Sequence, residues 1–459
     1  MFSCGGGASA GFARRPEFRI AAAVDLELAK PSGGRGASDC NATYQANHAI
    51  VPMNRDIMTL PPQEFAAAAG LSPGQLTVMI SCAPCTHLSR ANPRNHLADR
   101  PENSLIGRSG TFAAHLLPEI FLMENARELI MGNYRHHHAA LVEALQCAGY
   151  HVRSGIHFLD RFGLPQVRER ALVVASRIGE ARTLEDLWQG WSVRPEATTV
   201  RTALRRLAEW KRTHPLDPEG DAVPGMGQAV LSRLSATPRD GGGWIDVARD
   251  PATRKLLTRD CLRRWEARDL GSHPDVYGRM ALDKPAPTIK RECGHVGNGR
   301  YTHPMADRLL TVREMATLQG FPFDYRFPAG AVTNRYRHIG DAVPPTIAFQ
   351  MAALVKWMKT GVRPEPVDFV MPDTALRVED VVSRLTGPAR ANPIVSWPDL
   401  VRPSTTLPEP APQVVDARAK PGHDTGAMPV PPCLMLAPMR KKPGRDEETT
   451  PPDMSIRPI

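Results

Sequence analysis

Four short groups of residues in this 459-residue chain carry side chains that can do chemistry. The first, Gly5-Gly6-Gly7-Ala8-Ser9-Ala10, fits Gly-x-Gly-x-x-Ala. That pattern makes a tight turn at which backbone approaches an adenosine-bearing cofactor, and it leaves NAD, FAD and S-adenosylmethionine open. Asp25 lies 20 residues beyond Gly5 at the end of an apolar run, the position of an acid that hydrogen-bonds a ribose hydroxyl. Asp56, in Asn54-Arg55-Asp56-Ile57, is placed to accept from an adenine amino group at the next strand end, although a lone acid after a turn is commonly just solvated.

The second group, Ser81-Cys82-Ala83-Pro84-Cys85-Thr86, directly follows the apolar run Leu76–Ile80. A cysteine at a strand's carboxyl end is open to ligand, and nearby cations favour its nucleophilic thiolate. The Cys-x-x-Cys spacing also suits redox chemistry or half of a zinc site. A second zinc pair would fall to Cys293 and His295, whose Cys-x-His spacing is unusual, and no thioredoxin-like context surrounds the motif. His136-His137-His138 reads as a solvated helix start, so no metal site is expected. The third group is Glu124-Asn125 after Ile120–Met123, and the fourth is Gln166-Val167-Arg168-Glu169-Arg170 before Ala171–Ala175. Taken singly, each reads as a strand-end rim; their order along the chain makes them a set.

The elements that must position these groups are short buried strands at Phe18–Val24, Leu76–Ser81, Ile120–Met123 and Ala171–Ala175, with a helix over Ala139–Ala148 ending at Gly149. Alternation of strand and helix predicts a parallel α/β sheet with ligands at the carboxyl ends of its strands. Residues 1–177 form this unit. Between 178 and 283 the pattern becomes irregular, and five of the seven tryptophans fall between Ile178 and Arg300. Regularity returns over 284–360, where Thr311 and Glu314 make a capping box opening a helix to Gln319, and a helix is predicted over Thr346–Lys359. Residues 361–459 hold 19 of the 44 prolines, a composition that predicts a disordered tail.

The whole chain has an ordinary 42% apolar and 23% charged composition, which argues against whole-chain disorder. Eight scattered cysteines exclude a disulfide-stapled secreted scaffold. The absence of a signal-peptide pattern and of an unbroken apolar span predicts a cytoplasmic protein without a membrane partner. The net charge of +9 permits a nucleic-acid partner. The 47 Arg against 10 Lys suit phosphate and guanine edges, and equally fit a GC-rich genome.

In this order the motifs resemble those of the DNA (cytosine-5) methyltransferases of prokaryotic or phage type. Phe2-Ser3-Cys4-Gly5-Gly6-Gly7 with Gly11-Phe12 is similar to the family's cofactor motif, Pro84-Cys85 to its nucleophile motif, Glu124-Asn125 to its acid motif, and Gln166–Arg170 to its Gln-x-Arg-x-Arg motif. Arg308–Glu314 with Leu318-Gln319-Gly320-Phe321-Pro322 resembles the ninth motif, and Gly340-Asp341-Ala342-Val343-Pro344-Pro345 the tenth. The likeness covers residues 1–176 and 284–357. The chain departs from it with Cys4 for Gly, Thr86 for Gln and Asp341 for Asn. The family's first strand precedes the Phe, so a truncated first strand is expected.

The resemblance implies a Rossmann-like class I sheet that uses S-adenosylmethionine, with a smaller, irregular target-recognition domain at 178–283. It implies Cys85 as nucleophile, Glu124 as the acid at the base, Arg168 on the base O2, and Arg170 in support. Phe2, Gly5, Gly6, Gly7, Asp25, Asp56, Pro84 and Asp341 would hold the cofactor. The implied partner is double-stranded DNA with a flipped cytosine, bound by a monomer, and a cognate restriction endonuclease is a candidate partner. Three other readings compete: an inactive DNA-binding relative, an RNA cytosine-5 methyltransferase, and an NAD-linked oxidoreductase resting on the glycine turn alone.

Overall fold

The computed structural model describes residues 1–30, 35–85, 88, 98–215, 218–268, 275–328 and 330–384. Thr86 and residues 385–459 lie outside the described residues. By packing, the chain divides into Met1–Ala391 and Asn392–Ile459, and the second unit falls wholly outside them.

The glycine turn opens helix α1 (Gly7–Ala13), which is followed by β1 (Val24–Asp25), α2 (Cys40–His48) and β2 (Met53–Asn54). Next come β3 (Val78–Ser81), α3 (Leu105–Leu116), β4 (Ile120–Asn125), α4 (His136–Cys147), β5 (His151–Phe158) and β6 (Glu169–Ser176). The main sheet has the order β3-β4-β6-β5, and β1 pairs with β2 in parallel. Met1–Ser3 bridges the two: the Met1 ammonium donates to Ile80 O at 2.7 Å, Cys82 N to Met1 O at 3.3 Å, and Ser3 N to Val24 O at 3.2 Å.

The expectation of an all-parallel sheet needs correction. β3 and β4 are parallel, but β6 runs antiparallel to both β4 and β5. The chain turns from β5 into β6 through residues 159–168 without a crossover helix, and a reversal of that kind can only give antiparallel neighbours. Ile120–Met123 and Ala171–Ala175 are fully buried, which is why their apolar runs were visible. β5 is largely exposed and polar on its outer side, so it carried no such run.

Further along are β7 (Trp191–Val193), α5 (Val200–Lys211), α6 (Val312–Leu318), α7 (Val332–Asp341), α8 (Pro345–Thr360) and β8 (Val381–Ser383). The Thr311 capping box is formed in both directions: Glu314 N donates to Thr311 Oγ1 and Thr311 N to Glu314 Oε2. Gly11 has no room for a side chain, since a Cβ there would lie 2.4 Å from Phe349 N. This close approach seats α1 against α8.

The boundary at 178 does not mark a break in packing. Ala181, Leu184, Leu187 and Trp188 share a core with Ile120, Leu122 and α8. Val200, Ala203 and Leu234 share another with residues 280–342. Among the described residues of the segment 178–283, only Trp244, Val247, Ala248, Leu257 and Cys261 form a small core of their own. Residues 361–384, expected to belong to a disordered tail, are folded. Phe369 is fully buried, β8 pairs with β7, and Asp380 forms a buried ion pair with Arg206 at 2.5 Å. Through residue 384 the prolines alternate with apolar and charged anchors that find partners in the main body.

Candidate active site

Cys85 leaves the carboxyl end of β3 in the turn Cys82–Cys85. That turn is held by the neighbouring strand: Asn125, 1% exposed, donates from Nδ2 to Ala83 O at 2.9 Å, and its Oδ1 accepts from Ala126 N. The Asn of Glu124-Asn125 therefore fixes the loop that carries the thiol, while Glu124 itself pairs with Arg170. Pro84 is half-buried in the same turn. Burial pushes the Cys85 thiol up; Arg170 and Arg168 pull it down, and Glu124 raises it further. These four residues, scattered over 86 positions of sequence, thus lie within electrostatic reach of one another.

Glu124 Oε1 lies 2.8 Å from Arg170 Nε, an ion-pair distance, yet this buried oxygen accepts no aligned hydrogen bond among the described residues. Arg168 is 2% exposed. Its Nη1 donates to Ile289 O at 2.9 Å and to Gln166 Oε1 at 3.4 Å, and its Nη2 to Ala342 O at 3.4 Å. Its Nε is buried with no acceptor among the described residues. Desolvation and the neighbouring Arg170 weaken its hold on its proton, while Glu124 and Cys85 strengthen it. Buried polar atoms left without partners are costly. Here the unpartnered atom is a donor, Arg168 Nε, while Glu124 Oε1 keeps the Arg170 guanidinium as its ion-pair partner.

The two sequence blocks meet at this point. Gln166 Nε2 donates to Gln319 Oε1 at 2.8 Å, Gln166 Oε1 accepts from Ile289 N at 2.9 Å, and Gln319 Nε2 donates to Ala342 O at 2.8 Å. Gln319 and Asn125 lie inside the quoted motifs, but their positioning jobs were not legible from spacing.

On the cofactor side, Gly6 adopts φ 86°, and a Cβ there would strike His48 Nε2 at 2.5 Å and Tyr325 Oη at 2.7 Å. Gly5 O accepts from Tyr325 Oη at 2.6 Å, and a Gly7 Cβ would lie 2.5 Å from Val343 O. The glycines are thus required by close packing around the turn. His48 and Tyr325 were missed, because nothing in their local sequence links them to residues 5 and 6. Asp25 is occupied structurally: Oδ2 accepts from Cys4 N and Oδ1 from Glu27 N, both at 2.8 Å. Its four lone-pair positions leave capacity for a further donor. Asp56 Oδ1 accepts from Met58 N at 2.9 Å. Asp341 pairs with Arg291, whose Nη2 also reaches Leu28 O at 3.2 Å. Arg291 was missed too; its partner lies 50 positions away.

A cleft of about 370 Å3 opens beside the turn, lined by Phe2, Cys4, Gly7, Phe18, Val78 and Asp341 among others. Of the expected cofactor residues, Phe2, Gly7 and Asp341 line this cleft, whereas Asp25 and Asp56 do not; its size suits a small-molecule ligand.

The structure thus brings a glycine turn and a thiol–carboxylate–guanidinium cluster to one edge of a mixed α/β sheet. A profile of the C-5 cytosine-specific DNA methylases matches residues 1–357, so the chain belongs to that family and is an enzyme of its class. It is 28% identical over 329 residues to the type II methylase M.HgiDII of Herpetosiphon aurantiacus, covering 70% of this chain and 87% of that one. It is 26% identical over 367 residues to the type II methyltransferase M.XorII of Xanthomonas oryzae pv. oryzae, covering 76% and 81%. A solved structure of a putative DNA modification methyltransferase encoded within an E. coli prophage superposes with a TM-score of 0.48 at 19% identity, over 78% of this chain and 97% of that one. No helix among the described residues is long and apolar enough to cross a membrane.

Proposed function

We propose that the protein transfers a methyl group from S-adenosylmethionine to C5 of a cytosine flipped out of double-stranded DNA. The observation that carries this reading is the convergence of Glu124, Arg168 and Arg170 on the Cys85 thiol, with Glu124 Oε1 2.8 Å from Arg170 Nε and Arg168 Nε buried without an acceptor among the described residues. A cytosine ring offers N3 to a protonated carboxyl and O2 to a guanidinium N–H. Its C6 is the electrophilic carbon a thiolate attacks.

Cytosine C5 is a poor nucleophile while the ring is aromatic. Addition of the Cys85 thiolate forms an S–C6 bond and pushes electron density toward C5 and N3, splitting one hard step into easier ones. Glu124 supplies or shares the proton at N3, and Arg168 offsets charge at O2. Arg170 orients Glu124. The cofactor, when bound, supplies an electrophilic sulfonium methyl. Phe2 would lie against its adenine, Asp56 on the adenine amino group, Asp25 on the ribose, and the Gly5–Gly7 turn and Asp341 at the methionine end. Once C5 is methylated, loss of H5 to water lets the C6–S bond break, returning the thiolate and restoring aromaticity. The segment 178–283 would read the DNA through its arginines, and a type II modification role fits the curated relatives.

The test is transfer of tritiated methyl from the cofactor to mixed-sequence duplex DNA. Label at cytosine C5 with the native chain, and background with Cys85→Ser, is expected. Label that persists without Cys85, or appears only on RNA, would reject the proposal.

A further inference from the structure

The histidine run at the start of α4 has no part in the chemistry above, and it finds a partner that spacing could not supply. Asp99 Oδ2 lies 3.0 Å from His136 Nε2 and 3.0 Å from His137 Nε2. All three donor atoms fall within 4.8 Å of one another. Tetrahedral zinc with ligand bonds of about 2.0–2.1 Å sets its donor atoms roughly 3.3 Å apart, so the set closes on an ion with small adjustments.

Two of the three ligands are held in place. Asn103, only 1% exposed, donates from Nδ2 to Asp99 Oδ1 at 2.7 Å, the outer hydrogen bond that orients a ligating carboxylate. The His137 side chain is mostly buried, and the His136 ring packs beside it with centroids 4.1 Å apart. His138 turns away and meets Ser154 Oγ at 2.9 Å, which makes it an internal control.

We propose that Asp99, His136 and His137 bind a zinc-class divalent ion, with the remaining coordination position open to solvent. Two imidazoles and one carboxylate favour zinc, nickel, cobalt or copper over magnesium and calcium. Binding needs no redox step: each imidazole presents the Nε2 lone pair and keeps its proton on Nδ1. The ion would tie the start of α4 to the run leading into α3, with Asp99 only 14 residues past Cys85.

Calorimetry and equilibrium dialysis on the full chain with Zn2+ alone test this, with visible absorption of the Co2+ form reporting its geometry. One ion per chain is expected, unaffected by excess Mg2+. Asp99→Asn, His136→Gln and His137→Gln should each weaken binding by about tenfold or more, whereas His138→Gln and Cys147→Ser should not. Zn2+ should raise the melting temperature of the native chain but not of His136→Gln/His137→Gln, which shows that the variant folds while lacking the site. No binding, or binding equal in all variants and lost only when thiols are blocked, would overturn the proposal.

Discussion

Cys85 sits between two guanidinium groups that stabilise its thiolate and a carboxylate that opposes it, inside a site whose burial also opposes charge. The sign of each effect can be read by alkylation. Because the thiol lies above its ordinary value, the rate with iodoacetamide should climb steadily with pH through 7 and 8 without levelling. Glu124→Gln should speed alkylation at neutral pH by roughly three- to tenfold, the effect of moving a thiol's acidity by half to one pH unit. The same substitution should abolish methyl transfer. Arg170→Ala should slow alkylation instead. At this scale the sequence was informative, because Cys85, Glu124, Arg168 and Arg170 each sit at a strand end whose neighbours mark it. Asp25 was legible as an acid at the right place, but not as the acceptor for Cys4 N and Glu27 N. Arg291, His48 and Tyr325 were hidden, since their partners are distant in sequence and no local pattern announces them.

The strands and helices carry the constraint that the glycines express. Gly11→Ala would force a methyl group against the backbone of Phe349 and Ala348. The loss should be on the order of 1–3 kcal/mol from overpacking, seen as a lowered thermal midpoint, with cofactor affinity falling because α1 carries the Gly5–Gly7 turn. The buried strands were legible because burial on both faces leaves continuous apolar runs. The direction of β6 was not, since an apolar run has no polarity and the reversal is made by residues 159–168.

For the whole molecule, stability reaches past the expected boundary at 360. Arg206 and Asp380 pair at 2.5 and 2.8 Å with side chains under 10% exposed. Breaking a buried pair by Arg206→Ala typically costs about 3–5 kcal/mol. Truncation after residue 360 also removes Phe369 from the core of α8 and Trp188 and should leave an aggregating protein. Truncation after 384 should keep the melting temperature and methyl transfer of the full chain, as differential scanning fluorimetry and the tritium assay would show. Composition misplaced this boundary because it averages over prolines and cannot see that Phe369 and Asp380 have distant partners.

The Gln166–Gln319 contact, with Val167 N on Ala286 O at 2.8 Å and Ala286 N on Pro165 O at 3.0 Å, stitches the far block of the chain into the wall around Arg168. Polypeptide continuity across the intervening stretch is then dispensable for building that wall. Two separately encoded halves, divided between those blocks, should each be inert and should regain activity when co-expressed, making this protein a natural scaffold for a conditional, split reporter.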